Sequence, residues 1–220
     1  MDQSRVAERS LRTERASGTR ELILAAAERL FAEHGLLTVS NRQVSEAAGQ
    51  GNNTAVGYHF GTKADLVRAI VQKHSEAIEQ IRLQLVTECV GSTQLRDWVG
   101  CLVRPLTDHL EILGSPSWYA RFSVQVMADP ALRANVIDDA LSAPTIRATL
   151  DGLDRCLPAL PPHVRAERGV MARHLIVHMC AEQERAVAEG AATLRPTWQD
   201  LGTGLIDAIV GLFLAPVTPT

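Results

Sequence analysis

Residues 42–63 contain several side chains that can form hydrogen bonds with nucleic acid. An asparagine amide can pair with an adenine edge, and a threonine methyl can contact a thymine methyl. Tyrosine, histidine, lysine and arginine can donate to phosphate oxygens, and an arginine can also donate two hydrogen bonds to guanine. The candidates are Arg42, Asn52, Asn53, Thr54, Tyr58, His59 and Lys63. Their chemistry predicts a site that binds double-stranded DNA.

Two short helices separated by a turn are predicted to hold these residues. The pattern Ser-x-x-Gln at residues 40–43 is a capping box and predicts a helix that continues to residue 48. Residues 49–52 have the composition of a turn, and a third helix is expected at about 54–59. The pattern Thr-x-x-Asp at residues 62–65 caps a fourth helix. A helix-turn-helix of this kind places its second helix in the major groove.

The rest of the chain is predicted to be helical as well. Residues 19–34 have apolar side chains at helical spacing, namely Leu22, Ile23, Ala26, Ala27, Leu30 and Phe31, and Phe60 is assigned to the core. Further helices are expected near 94–113, 117–128, 131–141, 144–156, 163–189 and 197–214. No strand pattern is present, so the fold class is all-α. The expected domains are a DNA-binding domain at 17–64 and a larger helical effector-binding and dimerisation domain at 65–215.

Composition and charge restrict the functional class. The net charge is −3, but residues 1–20 carry five arginines against three carboxylates, whereas residues 83–220 carry 11 basic and 15 acidic side chains. The positive end is therefore the end with the helix-turn-helix. Arg5, Arg9 and Arg12 could form a basic arm or a solubilising tail. No apolar run is long enough for a membrane span or a signal peptide, which predicts a cytoplasmic protein.

The cysteines and the absence of catalytic motifs point away from an enzyme. Cys89, Cys101, Cys156 and Cys180 are widely spaced without a C-x-x-C pair, so they are expected to be reduced core residues. No phosphate loop, nucleophile elbow or close carboxylate pair is found. We therefore expect neither enzymatic activity nor a cofactor.

Residues 19–66 resemble the N-terminal domain of the tetracycline-repressor (TetR) family of transcriptional regulators. The resemblance lies in TRELILAAAERLFAEHG, VSEAAG and YHFGTKADL, which begin at residues 19, 44 and 58. It implies a three-helix DNA-binding domain, a larger helical domain that binds a small molecule, and dimerisation. The chain departs from the family pattern in one extra residue in the QGNN turn and in Gly57, where many members have an aromatic residue. Which residue of 52–54 contacts a base is therefore open.

The larger domain gives weaker signals for a ligand pocket. Eight residues are candidates for the lining of a pocket for a mostly apolar compound: Trp98, Leu102, Trp118, Phe122, Val126, Met171, His174 and His178. The alternative is that they are core residues. His174 and His178 are four apart and could share a metal, but no third ligand is evident nearby, so no metal site is predicted.

The last two predicted helices are candidates for a dimer interface, since residues 197–214 carry more apolar side chains than one contact face needs. The candidate interface residues are Leu201, Leu205, Ile209, Leu212 and Phe213, and burial within the monomer is the alternative. The function predicted from the sequence is a homodimeric, ligand-responsive repressor that binds a palindromic operator. The alternatives are a helical metal-binding protein or enzyme built around His174 and His178, and a DNA-binding protein regulated by a protein partner.

Overall fold

The computed structural model describes residues 2–51, 54–193 and 195–218, with only the backbone described for residues 2–16. Within these ranges the chain forms ten helices and no strand, which confirms the all-α prediction. The helices are α1 (Asp2–His34), α2 (Asn41–Ala47), α3 (Ala55–Phe60), α4 (Lys63–Glu88), α5 (Leu95–Leu113), α6 (Tyr119–Ala128), α7 (Pro130–Ser142), α8 (Pro144–Cys156), α9 (Pro162–Glu189) and α10 (Trp198–Leu214).

Helix α1 begins at Asp2, well before the start that the sequence predicted at residues 17–19. It ends at Gly35, whose φ of 86° is the left-handed conformation that lets a chain leave a helix. The buried face includes Ile23, Ala27 and Phe31, as the periodicity predicted. Leu22 is an exception, because it is 57% exposed.

The chain divides into two compact units, residues 1–72 and 73–220, and α4 crosses the division. In the first unit α2 packs against α1 and α3. The buried side chains of Val44 and Val56 lie on α2 and α3, so these two short helices are held by a shared core. The boundary expected between residues 64 and 65 stays a prediction.

The second unit is a helical bundle. Helix α5 packs against α8 and α10, while α6 packs against α7 and α9. The core includes Trp98, Phe122 and Ile209. None of the described helices combines the length and the apolarity needed to cross a membrane.

A buried carboxylate fixes the position of α6. Glu184 on α9 accepts hydrogen bonds from the backbone N–H groups of Ala120 and Arg121, at 3.2 and 2.9 Å. The Ser117 hydroxyl and the Arg121 guanidinium also donate to it, at 2.9 and 3.0 Å. Since the N-terminal N–H groups of a helix have no partner within the helix, Glu184 caps α6 from a neighbouring helix.

Candidate nucleic-acid interface

The start of α2 is held by the capping box that the sequence predicted. The backbone N–H of Ser40 donates to Gln43 Oε1 at 2.8 Å, and the backbone N–H of Gln43 donates to Ser40 Oγ at 3.3 Å. The two side chains thus satisfy two N–H groups reciprocally. This local bonding fixes the first turn of α2.

The turn between α2 and α3 is made by backbone geometry. Gly49 has a φ of 68°, and the N–H of Gln50 donates to the carbonyl of Ser45 at 2.9 Å. A left-handed residue after a helix end favours glycine, which explains its presence there. Asn52 and Asn53 lie outside the described residues, so their predicted base contacts stay predictions.

Helix α3 presents one exposed face, residues 54, 57, 58 and 61, at the i, i+3, i+4, i+7 spacing of a single helix side. The opposite face buries Ala55 and Val56. Tyr58 is 82% exposed, so its ring and hydroxyl stand in solvent rather than in the core. Large aromatic residues are seldom so exposed without a partner, and this position suits a contact to phosphate.

The two aromatic neighbours of Tyr58 are less exposed. The rings of Tyr58 and His59 meet edge to face, with centroids 5.0 Å apart. Phe60 is half-buried, and the Arg20 guanidinium lies 4.7 Å from its ring centroid. The prediction that Phe60 belongs to the core is therefore only partly right, because a cation covers the ring instead of apolar packing.

Lys63 does not project freely towards a ligand. Its ammonium group donates to the backbone carbonyls of Leu36 and Val39, the former at 2.8 Å. These carbonyls belong to the segment between α1 and α2. Lys63 thus ties the start of α4 to that segment, and at most one of its three N–H donors is left for a phosphate.

Arg42 is exposed and pairs with Glu46 one turn later, with 2.8 Å between its Nε and Oε1. The hydrogen bond and the charge of Glu46 raise the pKa of Arg42. An exposed pair of this kind contributes little to stability. Arg42 can therefore exchange Glu46 for a phosphate at small cost.

The start of α4 is already capped by a carboxylate. The Thr62 backbone N–H and hydroxyl both donate to Asp65 Oδ2, at 3.1 and 2.6 Å, and these bonds lower the pKa of Asp65. The Thr62 N–H is therefore not available to an anion, because Asp65 accepts its hydrogen bond.

The eight predicted pocket residues lie in different environments. Trp98, Phe122 and Val126 are buried, Leu102 and Trp118 are half-buried, and Met171, His174 and His178 are exposed on α9. The three α9 residues face solvent, which contradicts their placement in the lining of an enclosed pocket. The helical period of α9 puts them on its outer side.

Two cavities lie elsewhere in the second unit. A cavity of about 150 Å³ lies beside Glu111, Glu184 and Trp198, and one of about 300 Å³ lies between Cys101, Arg104 and other residues of α5 and α10. None of the eight predicted residues lines either of them. Each cavity combines apolar lining residues with charged side chains, Glu111 and Glu184 in the smaller one and Arg96 and Arg104 in the larger one.

The predicted dimer residues belong largely to the core of the monomer. Leu201, Leu205, Ile209 and Phe213 are buried, and Leu212 is half-buried. Helix α10 packs against α5 and α9 of its own chain, which covers these side chains. The burial of these four side chains agrees with the alternative of burial within the monomer, and the interface assignment stays a prediction.

His174 and His178 lie close to each other on the exposed side of α9, with their rings stacked and the centroids 5.7 Å apart. Among the described residues, no group of three or more histidine, cysteine or carboxylate side chains could hold a metal ion. The pair therefore gives no support to the metal-binding alternative.

Sequence reasoning missed one residue of the interface region. Arg20 on α1 is exposed and its guanidinium stacks on Phe60, at the end of α3. The only local signal was a basic residue at the start of the apolar pattern of α1. No spacing rule connects positions 20 and 60, so the contact becomes visible only once α1 and α3 are packed.

The comparisons agree with this geometry. A family model described as "Bacterial regulatory proteins, tetR family" matches residues 23–70, from α1 into α4. The HTH-type transcriptional repressor AcnR of Corynebacterium glutamicum is 26% identical over 130 residues, which cover 57% of this chain and 60% of the length of that repressor.

A solved structure shows the same fold over nearly the whole chain. The TetR family transcriptional regulator PfmR from Thermus thermophilus aligns with 87% of this chain and 96% of its own, at a TM-score of 0.51 and 14% sequence identity. At this identity the similarity supports the fold alone. The matched segment 23–70 and the shared fold make this chain similar to the tetR family of bacterial regulatory proteins.

Proposed function

We propose that the chain is a DNA-binding transcriptional repressor that binds a palindromic operator as a homodimer. The observation that carries the proposal is the exposed face of α3, with Thr54 and Tyr58 on the second helix of a capped helix-turn-helix. In such a motif the second helix enters the major groove and places small polar groups on base edges. The name of the relative AcnR, a transcriptional repressor, supports the direction of regulation.

The proposed roles of the residues follow from their exposure. Tyr58 and Arg42 contact phosphates, because both are exposed and neither is held by a buried partner. Thr54 and the two asparagines before it supply base contacts. His59 is half-buried beside Tyr58, and it orients the Tyr58 ring through their edge-to-face contact.

A second copy is proposed to cover the outer face of α9. Val170 and Met171 on this helix are each more than 40% exposed, and Leu214 at the end of α10 is 54% exposed. Exposed apolar side chains along one helix suit a self-complementary interface about a two-fold axis. The two recognition helices would then bind half-sites about 34–36 Å apart, one turn of DNA.

A small-molecule effector is proposed to bind the second unit and lower the affinity for DNA. A coupling of about 1–3 kcal/mol between the two sites changes DNA affinity about 5- to 150-fold. The two cavities have both apolar and charged lining residues, which do not select one kind of compound. We therefore propose no chemical class for the effector.

Selection of bound sequences from a random DNA pool tests the proposal. We expect a palindromic motif with half-sites one turn apart, and affinity that falls steeply with salt because phosphate contacts release counterions. Folded protein that enriches no sequence, at low salt as well as at physiological salt, would contradict the proposed function.

Two variants separate the interface from the rest of the surface. Arg42→Gln should weaken binding to all DNA sequences, by about tenfold if one charge-assisted bond is lost. Arg96→Gln is the matched control, since Arg96 is likewise exposed on a helix and pairs with an exposed carboxylate, that of Asp207. Equal losses of affinity in the two variants would refute the assignment of Arg42.

A further inference from the structure

Two cysteines that are distant in sequence form a pair in the second unit. The thiol of Cys101 donates to the sulfur of Cys89, with the two sulfurs 3.5 Å apart. Cys89 directly follows the end of α4, and Cys101 lies in α5. All four cysteines of the chain are free thiols. The pair thus has the two thiols that a disulfide needs, already in contact.

The geometry needed for a disulfide is close to the one observed. A disulfide has a sulfur–sulfur distance of about 2.05 Å, so the two atoms must approach by about 1.5 Å from their separation of 3.5 Å. Rotation of the cysteine side chains can supply much of this movement. The segment 89–94 between α4 and α5 is a turn with Gly91 at a φ of 82°, and it is not part of either helix.

A small oxidant has access to both sulfurs. Cys89 and Cys101 line the cavity of about 300 Å³, together with Arg96, Arg104 and neighbouring residues. Cys89 is half-buried, whereas Cys101 is only 1% exposed. An oxidant that enters the cavity therefore reaches Cys89 first.

The environment of the two thiols sets their order of reaction. Burial raises the pKa of Cys101 to about 12, so this thiol stays protonated. Burial also raises the pKa of Cys89, and the hydrogen bond from Cys101 opposes this shift. Cys89 is the more accessible of the two sulfurs, so it is the one that attacks the oxidant and Cys101 is the one that follows.

We propose that Cys89 and Cys101 are a redox-active pair that a hydroperoxide converts into an intrachain disulfide. The Cys89 sulfur attacks the terminal oxygen of the hydroperoxide, the O–O bond breaks, and an alcohol (or water) leaves with the thiol proton. Cys89 becomes a sulfenic acid. The Cys101 sulfur then attacks the Cys89 sulfur, the S–O bond breaks, and water leaves. Two thiols lose two electrons in total, and one peroxide gains them.

The cross-link has a defined structural consequence. It joins the C-terminal end of α4 to α5, and a thiol reductant reverses it. The proposal does not rest on the proposed DNA-binding function, because it concerns only residues of the second unit.

The test is to map thiols in the reduced full-length protein after treatment with one equivalent of hydrogen peroxide. Remaining thiols are alkylated and the protein is digested with trypsin, which cleaves after Arg82 and Arg96 and so separates Cys89 from Cys101. We expect two of the four thiols to disappear, a disulfide-linked pair of peptides containing Cys89 and Cys101, and full recovery after dithiothreitol.

Variants give the matched comparison. Cys89→Ser should lose thiols at least tenfold more slowly than the wild type. Cys101→Ser should still lose the Cys89 thiol, as a sulfenic acid or a higher oxide, but should form no intrachain link. Cys156→Ser removes another half-buried thiol and should still form the 89–101 link at the wild-type rate. The proposal is overturned if the wild type keeps all four thiols. It is also overturned if the recovered links involve Cys156, Cys180 or a second chain. The wild-type mapping decides the question even if a variant does not fold.

Discussion

Replacing Lys63 with methionine tests whether this residue serves the fold or the DNA. The substitution keeps the length of the side chain and removes the ammonium group, which donates to the carbonyls of Leu36 and Val39. A hydrogen bond that involves a charged group contributes about 1.5–3 kcal/mol, and Lys63 is only half-buried, so we take the lower end for each bond. We therefore expect a loss of about 2–3 kcal/mol in the free energy of unfolding.

The loss should be visible in thermal and urea unfolding followed by circular dichroism. For a chain of this size, each kcal/mol of lost unfolding free energy lowers the thermal unfolding midpoint by about 2–4 °C, which predicts a decrease of about 5–10 °C. Lys73→Met is the matched control, because Lys73 is the other lysine of the chain and is exposed on the same helix. It should change the midpoint by less than about 2 °C, since exposed substitutions cost little.

The same variant measures any phosphate contact of Lys63 separately. If the third N–H donor binds a phosphate, the slope of log affinity against log salt should fall by about 0.9 in Lys63→Met. An unfolding midpoint of Lys63→Met equal to that of Lys73→Met would refute the stabilising role of the two carbonyl bonds. In that case the two carbonyl contacts do not stabilise the fold.

Three further substitutions test the packing. A Cβ at Gly152 would lie 2.1 Å from the buried ring of Trp98, so Gly152→Ala should lower the free energy of unfolding in urea by about 1–3 kcal/mol. The control is Gly169→Ala, which should stabilise the protein because a Cβ there meets nothing within 4 Å. Equal midpoints for the two variants would contradict this packing. A Cβ at Gly57 in α3 also meets nothing within 4 Å, so Gly57→Ala should raise the free energy of unfolding by about 1 kcal/mol. A lower unfolding midpoint would show that α3 is not helical there. Glu184→Gln leaves buried donors unpaired and should cost about 3–5 kcal/mol, and wild-type stability would exclude the capping role.

Local patterns predicted most of the secondary structure correctly. The predicted helices in the second unit agree with α5 to α10 to within two residues at each end. The Ser40–Gln43 capping box and the Thr62–Asp65 cap were also predicted. These features depend on residues three or four positions apart, which is why periodicity and capping rules find them.

The exceptions arose where burial depends on distant elements. Leu22 fits the helical period but is exposed, because it lies at the edge of the face that α1 buries. The sequence predicted that apolar side chains of α10 contact a second copy of the chain. Leu201 and Leu205 are instead buried within their own chain, in which α10 packs against α5. A hydrophobic pattern shows that a face is buried but does not say against what.

By itself the sequence determined the helical class, the order of the helices and the helix-turn-helix motif, because these depend on short-range spacing and on residue types. Only the tertiary structure decided which acceptors hold Lys63, which helix Glu184 caps, and that Cys89 and Cys101 are in contact. Each of these contacts joins residues on different elements. Their proximity is set by how the elements pack, and packing is a property of many side chains together rather than of any local pattern.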